Sequence, residues 1–231
     1  MWTVWPILYY NLQSGKEEGL HTKTSSISYF WYFQTYIIIV GEGIGLIGDS
    51  LLAISWREQS GFVYHIENNK LKLKRTISYK TSNNEGWGVT TSFWKDQFVY
   101  FISDGSCNIM VWNSAFQEIE RKCIVDPFND NLPIQNINEL EMVENSLFAN
   151  IWMDTQVAVI NFEEGKVIRW IDFAVLQRWI KNDGDSYEQT NRVLNGIAYN
   201  EKTRSLYITG KLWNRMFEIE LLWCVCNKQN N

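Results

Sequence analysis

One order of segments occurs four times along this 231-residue chain. Each copy has a short polar or glycine-containing opening, then an apolar strand, a turn and an alternating strand. In the first three copies a charged outer strand comes last. The openings are GEGIGL (41–46), GWGVTT (86–91), NELEMV (138–143) and NGIAYN (195–200). Such a repeat indicates that one structural unit is stacked several times, and this constrains the fold more than composition does.

The spacing of the repeat is the second constraint. Four corresponding positions are 45, 52 and 56 residues apart, namely Glu42, Trp87, Glu139 and Asn195. These intervals match the length of a four-stranded propeller blade, with the excess residues in loops at 126–137 and 174–193. The second loop could begin with a helical turn or two. We therefore predict an all-β fold, a five-bladed β-propeller, with the hairpins of a β-sandwich as the alternative.

The repeat also predicts the domain organisation. Residues 1–231 are expected to form one propeller domain, with four recognisable blades in 41–221 and a tail at 222–231. Four copies need a fifth blade to close the ring. Residues 10–22 resemble the outer strand of such a blade, whose inner strands are missing. Residues 1–40 are thus expected to hold the remnant of an incomplete first blade and an irregular insertion.

Blade topology brings distant parts of the chain to one mouth of the central channel. The first strand of a blade lies nearest the axis and the second runs antiparallel to it, so first-strand beginnings and second-strand ends share one face. The residues at these positions are Glu42, Trp56, Trp87, Asp104, Asn138, Glu139, Trp152, Asn195 and Lys211. A concave site with aromatic walls and a few convergent polar groups is the usual form of a small-ligand pocket.

The polar members of this set suggest proton-transfer chemistry. A glutamate among indoles, here Glu42, should have a raised pKa, which suits proton transfer near neutral pH. Lys211 supplies positive charge where an oxyanion could form. Taken singly, the tryptophans fit core packing, Glu42 a local hydrogen bond, Lys211 a solvated loop and Asp104 a hairpin turn. Their coincidence at corresponding blade positions favours the functional interpretation.

Charge and hydropathy argue against two classes of partner. The net charge is −5, and the lysines and arginines are scattered rather than arranged in a basic stripe, so nucleic acid is not expected. Residues 27–48 are the only stretch long enough to span a bilayer, but Glu42 and four glycines follow within it. We interpret it as an irregular apolar segment that leads into a strand. The start, MWTVWPILYY, lacks the basic region and cleavage site of a signal peptide, so the compartment stays open.

The cysteines indicate no metal or other cofactor. Their spacing forms no metal-binding pattern, and only two histidines could assist; these six residues are His21, His65, Cys107, Cys123, Cys224 and Cys226. A Cys107–Cys123 bridge is conceivable, but spacing alone does not establish it. Unpaired cysteines in or near the core are the favoured interpretation.

Short strings along the chain resemble the glutamine cyclotransferase family of plants and bacteria. They run in the family's order at the family's spacings over about residues 41 to 221. They are GEG (41–43), LLAISW with its tryptophan at 56, GWG (86–88), SDGS (103–106), NELE (138–141), ANIW (149–152), WID (170–172), LNGIA (194–198) and TGKLW (209–213). Each is weak alone, and jointly they are specific.

The resemblance implies a five-bladed propeller and a glutaminyl-peptide cyclotransferase, an acyltransferase that converts N-terminal glutamine to pyroglutamate and releases ammonia. By the same resemblance, Glu42 is the catalytic carboxylate and Lys211 its polar partner across the pocket. Trp56, Trp87 and Trp152 form a cage, and Asn138 holds the substrate. Partners would be peptides or proteins with N-terminal glutamine, acted on by a monomer without a cofactor. Family members commonly enter the secretory route.

Two departures from the family pattern leave alternatives open. An FTQGL-like string with a pocket glutamine, usual in the first blade, does not occur here, and Val40 replaces the aromatic residue usual two positions before the catalytic glutamate. The first blade is therefore expected to be truncated. One alternative is a non-catalytic propeller that binds an N-terminal or cationic ligand in the aromatic pocket. Another is an inactive, truncated family member.

Overall fold

The computed structural model describes residues 7–11, 16–21, 36–180 and 190–221. Within these ranges there are nineteen strands and one short helix, so the architecture is all-β as predicted. The strands form four mainly antiparallel sheets, arranged as four blades of a propeller-like structure. The β-sandwich alternative, which requires two sheets packed face to face, is therefore wrong.

The first sheet has six strands. It begins with a hairpin of β1 (Ile7–Asn11) and β2 (Lys16–His21) and continues with β3 (Tyr36–Ile47), β4 (Ser50–Ser55), β5 (Ser60–Glu67) and β6 (Lys70–Ser78). Strands β3 to β6 pair in chain order as a blade, and β1 pairs with the first residues of β3. The prediction that residues 10–22 form the outer strand of a separate blade is wrong for the residues described there. The β1–β2 hairpin instead pairs with β3, at the inner edge of the β3–β6 blade, which is the first of the four described blades.

The second and third blades repeat this order. The second consists of β7 (Val89–Trp94), β8 (Gln97–Ser103), β9 (Asn108–Asn113) and β10 (Glu118–Cys123). The short strands β11 (Val125–Asp126) and β12 (Leu132–Pro133) lie in the following loop and pair outside the third blade. That blade consists of β13 (Ile137–Val143), β14 (Ser146–Ile151), β15 (Gln156–Asn161) and β16 (Lys166–Asp172).

The fourth blade has three described strands, β17 (Leu194–Asn200), β18 (Ser205–Gly210) and β19 (Phe217–Glu220). The loop before it begins with the one-turn helix α1 (Ala174–Gln177), which confirms the predicted helical turn. The predicted apolar segment at 27–48 ends in β3, and its residues before 36 lie outside the described part. Among the described residues, no helix has the length and apolar character that crossing a membrane requires.

The core lies between the blades. Middle strands such as β8 and β14 are buried on both faces, whereas the outer strand β10 is largely exposed. The second and third blades each pack between two neighbouring blades, which buries both faces of their middle strands, while their outer strands face water. Three apolar clusters join successive blades; they contain Leu52 with Tyr100, Phe101 with Leu147, and Phe148 with Leu206.

The innermost strands β3, β7, β13 and β17 contact one another in sequence around the axis. Glycines in the opening segments permit this close approach. A methyl group on Gly43 would lie 2.7 Å from the carbonyl oxygen of Trp87, and one on Gly88 would lie 2.2 Å from that of Asn138. Blade-to-blade packing therefore explains the glycines at 43 and 88.

A disulfide joins Cys107 and Cys123, so the expectation of unpaired cysteines is wrong for this pair. Strands β9 and β10 pair with Cys123 opposite Asn108, the residue after Cys107. This register brings the two Cα atoms to 4.8 Å, within the range that a disulfide needs. Register cannot be deduced from cysteine spacing. Cys224 and Cys226 lie outside the described residues.

Removing this disulfide should destabilise the protein. The bridge closes a 16-residue separation, and a loop of that length is worth about 3 kcal/mol in the unfolded-chain model. We expect a variant with Cys107→Ala and Cys123→Ala to lose about that much free energy of unfolding in a urea titration. An unchanged midpoint would contradict the assignment, and wild type treated with a reductant serves as the matched comparison.

Candidate active site

A cavity of about 470 Å³ opens at one mouth of the channel. Its size falls in the usual range for small-ligand pockets. The six residues given catalytic or substrate-binding roles by the family resemblance line it, together with three others; the nine are Val40, Glu42, Trp56, Trp87, Asn138, Trp152, Asn191, Lys211 and Leu212. The fold thus brings Glu42 and Lys211 together although they are 169 positions apart in the chain.

One backbone contact recurs beneath three of these side chains. The residue just after the second strand donates its N–H to a carbonyl of the same blade, which lies within the first strand in the first blade and just before it in the third and fourth blades. The bonds run from Trp56 to Val40, from Trp152 to Asn136 and from Lys211 to Val193, each at 2.8 Å. Corresponding bonds place corresponding side chains, so both indoles and the lysine point into the same mouth.

Glu42 and Lys211 face each other across the cavity. The distance from Lys211 Nζ to Glu42 Oε2 is 3.8 Å, and the two side chains are only 17% and 13% exposed respectively. Burial raises the pKa of Glu42 from 4.5 to about 7; Lys211 opposes this rise and Glu85 adds to it. Burial also lowers the pKa of Lys211. Glu42 can therefore both accept and donate a proton near neutral pH.

The indoles surround this pair. Lys211 Nζ lies 4.2 Å from the ring centroid of Trp152, a cation–π distance. Trp87 meets Trp152 edge to face with centroids 6.3 Å apart. Gly105 (φ +80°) supports Trp87 from behind, since a methyl group there would lie 2.6 Å from the Trp87 ring. Any side chain at Gly105 would displace this wall of the cage.

Glu85 is a structural partner of the cage that the sequence did not reveal. Its Oε2 accepts hydrogen bonds from the indole N–H of Trp56 and of Trp87, both at 2.8 Å. Its Oε1 lies 3.3 Å from Arg57 Nε. The available signal was its position directly before GWG (86–88), where two aromatic walls had already been predicted.

The β13 strand contributes a second acidic residue beside the cavity. Asn138 is buried and lines the cavity, and its backbone oxygen accepts a bond from Ser103 Oγ at 2.6 Å. Glu139, the next residue, is half-buried. Burial and the neighbouring Glu141 raise the pKa of Glu139 to about 8. Two carboxyl groups near the mouth, those of Glu42 and Glu139, therefore titrate close to neutral pH.

Two weaker sequence candidates do not line the cavity. Asp104 is fully buried in the turn between β8 and β9, where its carboxylate accepts bonds from the N–H of Asn83 and of Ser106 and from the Ser106 hydroxyl. This agrees with its interpretation as a turn residue. Asn195 lies on β17 and is not among the lining residues. Within the described ranges, no group of three or more His, Cys, Asp or Glu side chains is placed to hold a metal ion.

Comparisons with known proteins identify the family. The family model described as glutamine cyclotransferase matches residues 30–221. A glutaminyl-peptide cyclotransferase of Arabidopsis thaliana is 31% identical over 181 residues, which are 78% of this chain and 52% of that protein. The chain thus spans about half the length of this curated relative. The crystal structure of a Myxococcus xanthus glutaminyl cyclase superposes with a TM-score of 0.67 at 28% identity, covering 78% of this chain and 72% of that one. The chain therefore belongs to the glutamine cyclotransferase family.

Proposed function

We propose that this chain is a glutaminyl-peptide cyclotransferase, which converts the N-terminal glutamine of peptides or proteins to pyroglutamate and releases ammonia. The observation that carries the proposal is the Glu42 carboxyl, whose pKa is raised to about 7, opposite Lys211 inside a cage of indoles. Family membership supports the same reaction.

In the proposed reaction, the α-amine of the substrate attacks the Cδ carbonyl carbon of its own glutamine side chain. A bond forms between the α-nitrogen and Cδ, the bond from Cδ to Nε2 breaks, and ammonia leaves. Glu42 takes one proton from the attacking amine and delivers it to the departing nitrogen. A group with a pKa near 7 suits both steps, because neither protonation state is rare at neutral pH.

The remaining residues of the site orient the substrate. Lys211 and Asn138 would hold the side-chain amide and stabilise the oxyanion of the tetrahedral intermediate. Trp56, Trp87 and Trp152 would enclose the aliphatic part of glutamine in its folded conformation. Because the attack is intramolecular, holding that conformation supplies much of the rate.

We further propose that the four blades belong to a five-bladed ring formed by one chain as a single domain. Glu42 on β3 of the first described blade and Lys211 after β18 of the fourth meet at the cavity, as expected for blades arranged around one axis. We also propose that the protein acts as a monomer, because the nine lining residues already form a cavity within a single chain.

Ammonia release tests the proposed function. We expect the protein to release one ammonia from each molecule of a peptide that begins with glutamine. The same peptide with an acetylated N-terminus is the matched control, because it retains the amide but lacks the attacking amine. Ammonia from both peptides would indicate hydrolysis instead. Binding of the glutaminyl peptide without any ammonia would favour the non-catalytic alternative.

A further inference from the structure

Glu85 joins cage walls that belong to two different blades. Trp56 follows the second strand of the first blade, and Trp87 precedes the first strand of the second blade. Both indole N–H groups donate to a single oxygen, Glu85 Oε2, at 2.8 Å. A shared acceptor fixes the distance between the two rings, since neither can turn without losing a bond to a charged group.

Glu85 is itself held in place. Thr81 Oγ1 donates to the backbone oxygen of Glu85 at 2.7 Å, which restrains the loop. Arg57 Nε lies 3.3 Å from the second carboxylate oxygen, and its guanidinium lies 3.8 Å from the centroid of the Trp56 ring. The carboxylate therefore has partners at both oxygens, and the arginine covers one of the indoles that the carboxylate binds.

We propose that Glu85 is a positioning residue of this site: it holds Trp56 and Trp87 at a fixed separation and places a negative charge beside Glu42. The proposal rests on the proposed function, because the cage it maintains is the one that encloses the glutaminyl side chain. Glu85 is outside the set of residues that line the cavity, and it acts through the two indoles and through its charge.

The charge has a consequence for catalysis. Four groups act electrostatically on Glu42 or respond to it: Lys211 from the fourth blade, Glu85 from the loop before β7, Glu139 from β13 and Tyr79 after β6. Of these, Lys211 lowers the pKa of Glu42 and Glu85 raises it. Glu85 thus partly cancels the effect of the lysine and helps to keep Glu42 able to donate a proton at neutral pH.

Two substitutions separate the two roles. In Glu85→Gln the amide oxygen can still accept both indole N–H bonds, but the charge is gone. The amide nitrogen of the new glutamine would face Arg57, which is 64% exposed and can turn into solvent to avoid this contact between two donors. We expect a plateau kcat close to wild type, with the acid limb of the pH–kcat profile moved to lower pH. In Glu85→Ala both bonds are lost, and we expect kcat/KM to fall about a hundredfold, as for a misplaced substrate contact.

The matched controls are Glu120→Gln and Glu120→Ala. Glu120 lies on β10 of the second blade, has two lysine partners and a side-chain exposure of 23%, close to the 25% of Glu85. Neither control should change the profile or kcat/KM. The substrate α-amine also titrates in this range, but its contribution is common to all variants. A shift of the acid limb of the pH–kcat profile between variants therefore reports the titration of an enzyme group.

A readout independent of turnover keeps this proposal distinct from the proposed function. The indole N–H groups of Trp56 and Trp87 can be followed by ¹H–¹⁵N NMR and assigned with Trp56→Phe and Trp87→Phe. We expect both to be protected from hydrogen exchange in wild type and in Glu85→Gln, and to lose protection in Glu85→Ala while the melting temperature confirms that this variant is folded. If the wild-type protein showed no turnover, the proposed function would be refuted. The hydrogen-exchange data would still show whether Glu85 holds the two indoles in place. Equal protection in Glu85→Ala and wild type, or an acid limb unmoved in Glu85→Gln, would overturn the present proposal.

Discussion

Replacing Glu42 with glutamine is expected to lower kcat for a glutaminyl peptide by about 10²- to 10⁴-fold, the usual contribution of general acid–base catalysis. Glutamine keeps the size of the side chain and its hydrogen-bonding capacity but cannot move a proton. The peptide should still bind, because the indoles and Lys211 remain. Ammonia release at saturating peptide measures the change, and a kcat within a fewfold of wild type would exclude Glu42 as the proton carrier.

The same substitution should alter the pH dependence of stability. The pKa of Glu42 is about 7 in the folded protein against 4.5 for an ordinary glutamate, so the folded state binds more protons between these values. Stability that is fully present below pH 4.5 is therefore lost as the pH rises through 7, by about 3 kcal/mol. Glu42→Gln should lack this part of the fall, whereas the part due to Glu139, whose pKa is also raised, should remain. Urea titrations at pH 4.5 and pH 8 compare the two proteins, and parallel losses would contradict the raised pKa.

Replacing Lys211 with methionine is expected to have the second largest effect. The substitution removes the cation 3.8 Å from Glu42 while keeping an unbranched side chain against Trp152. We expect kcat to fall about 10²- to 10³-fold, as when one oxyanion-stabilising group is lost. The pKa of Glu42 should rise further, since Lys211 now lowers it. The acid limb of the pH–kcat profile should then move to higher pH, opposite to the shift expected for Glu85→Gln.

Lys122→Met is the matched control for this substitution. Lys122 is 25% exposed, is ion-paired to Glu120 at 3.1 Å and lies 5.0 Å from the centroid of the Phe162 ring. It therefore reproduces the environment of Lys211 away from the cavity. Loss of turnover in both variants would point to a general effect of removing a partly buried lysine. An unchanged profile in Lys211→Met would refute the role assigned to the cation.

Blade order and the cavity could be predicted from the sequence because both depend on periodic features. Every first-strand opening and every second-strand end recurs at a fixed place in the repeat, and the antiparallel pairing brings these places to one mouth. That is why Glu42, Trp56, Trp152 and Lys211 meet in one cavity although they come from three blades. The burial that raises the pKa of Glu42 also followed from the aromatic surroundings.

Features that depend on register or on a single loop could not be predicted in this way. The Cys107–Cys123 bridge requires the β9–β10 register, which cysteine spacing does not contain. Glu85 lies in an irregular loop outside the repeat, so no periodicity identifies it as the shared acceptor of two indoles. The β1–β2 hairpin pairs with β3 and does not form a separate blade. The repeat could not predict this pairing, because residues 1–40 lie outside it.

Mass spectrometry of the peptide product distinguishes cyclisation from hydrolysis. A glutaminyl peptide with ¹⁵N in its side-chain amide should yield labelled ammonia and a pyroglutamyl peptide, which is one water lighter than the glutamyl peptide that hydrolysis would give. We predict the pyroglutamyl product with wild type and its loss with Glu42→Gln. A glutamyl product, or an unchanged peptide under conditions where wild type binds it, would contradict the assignment of this cavity as a cyclotransferase site.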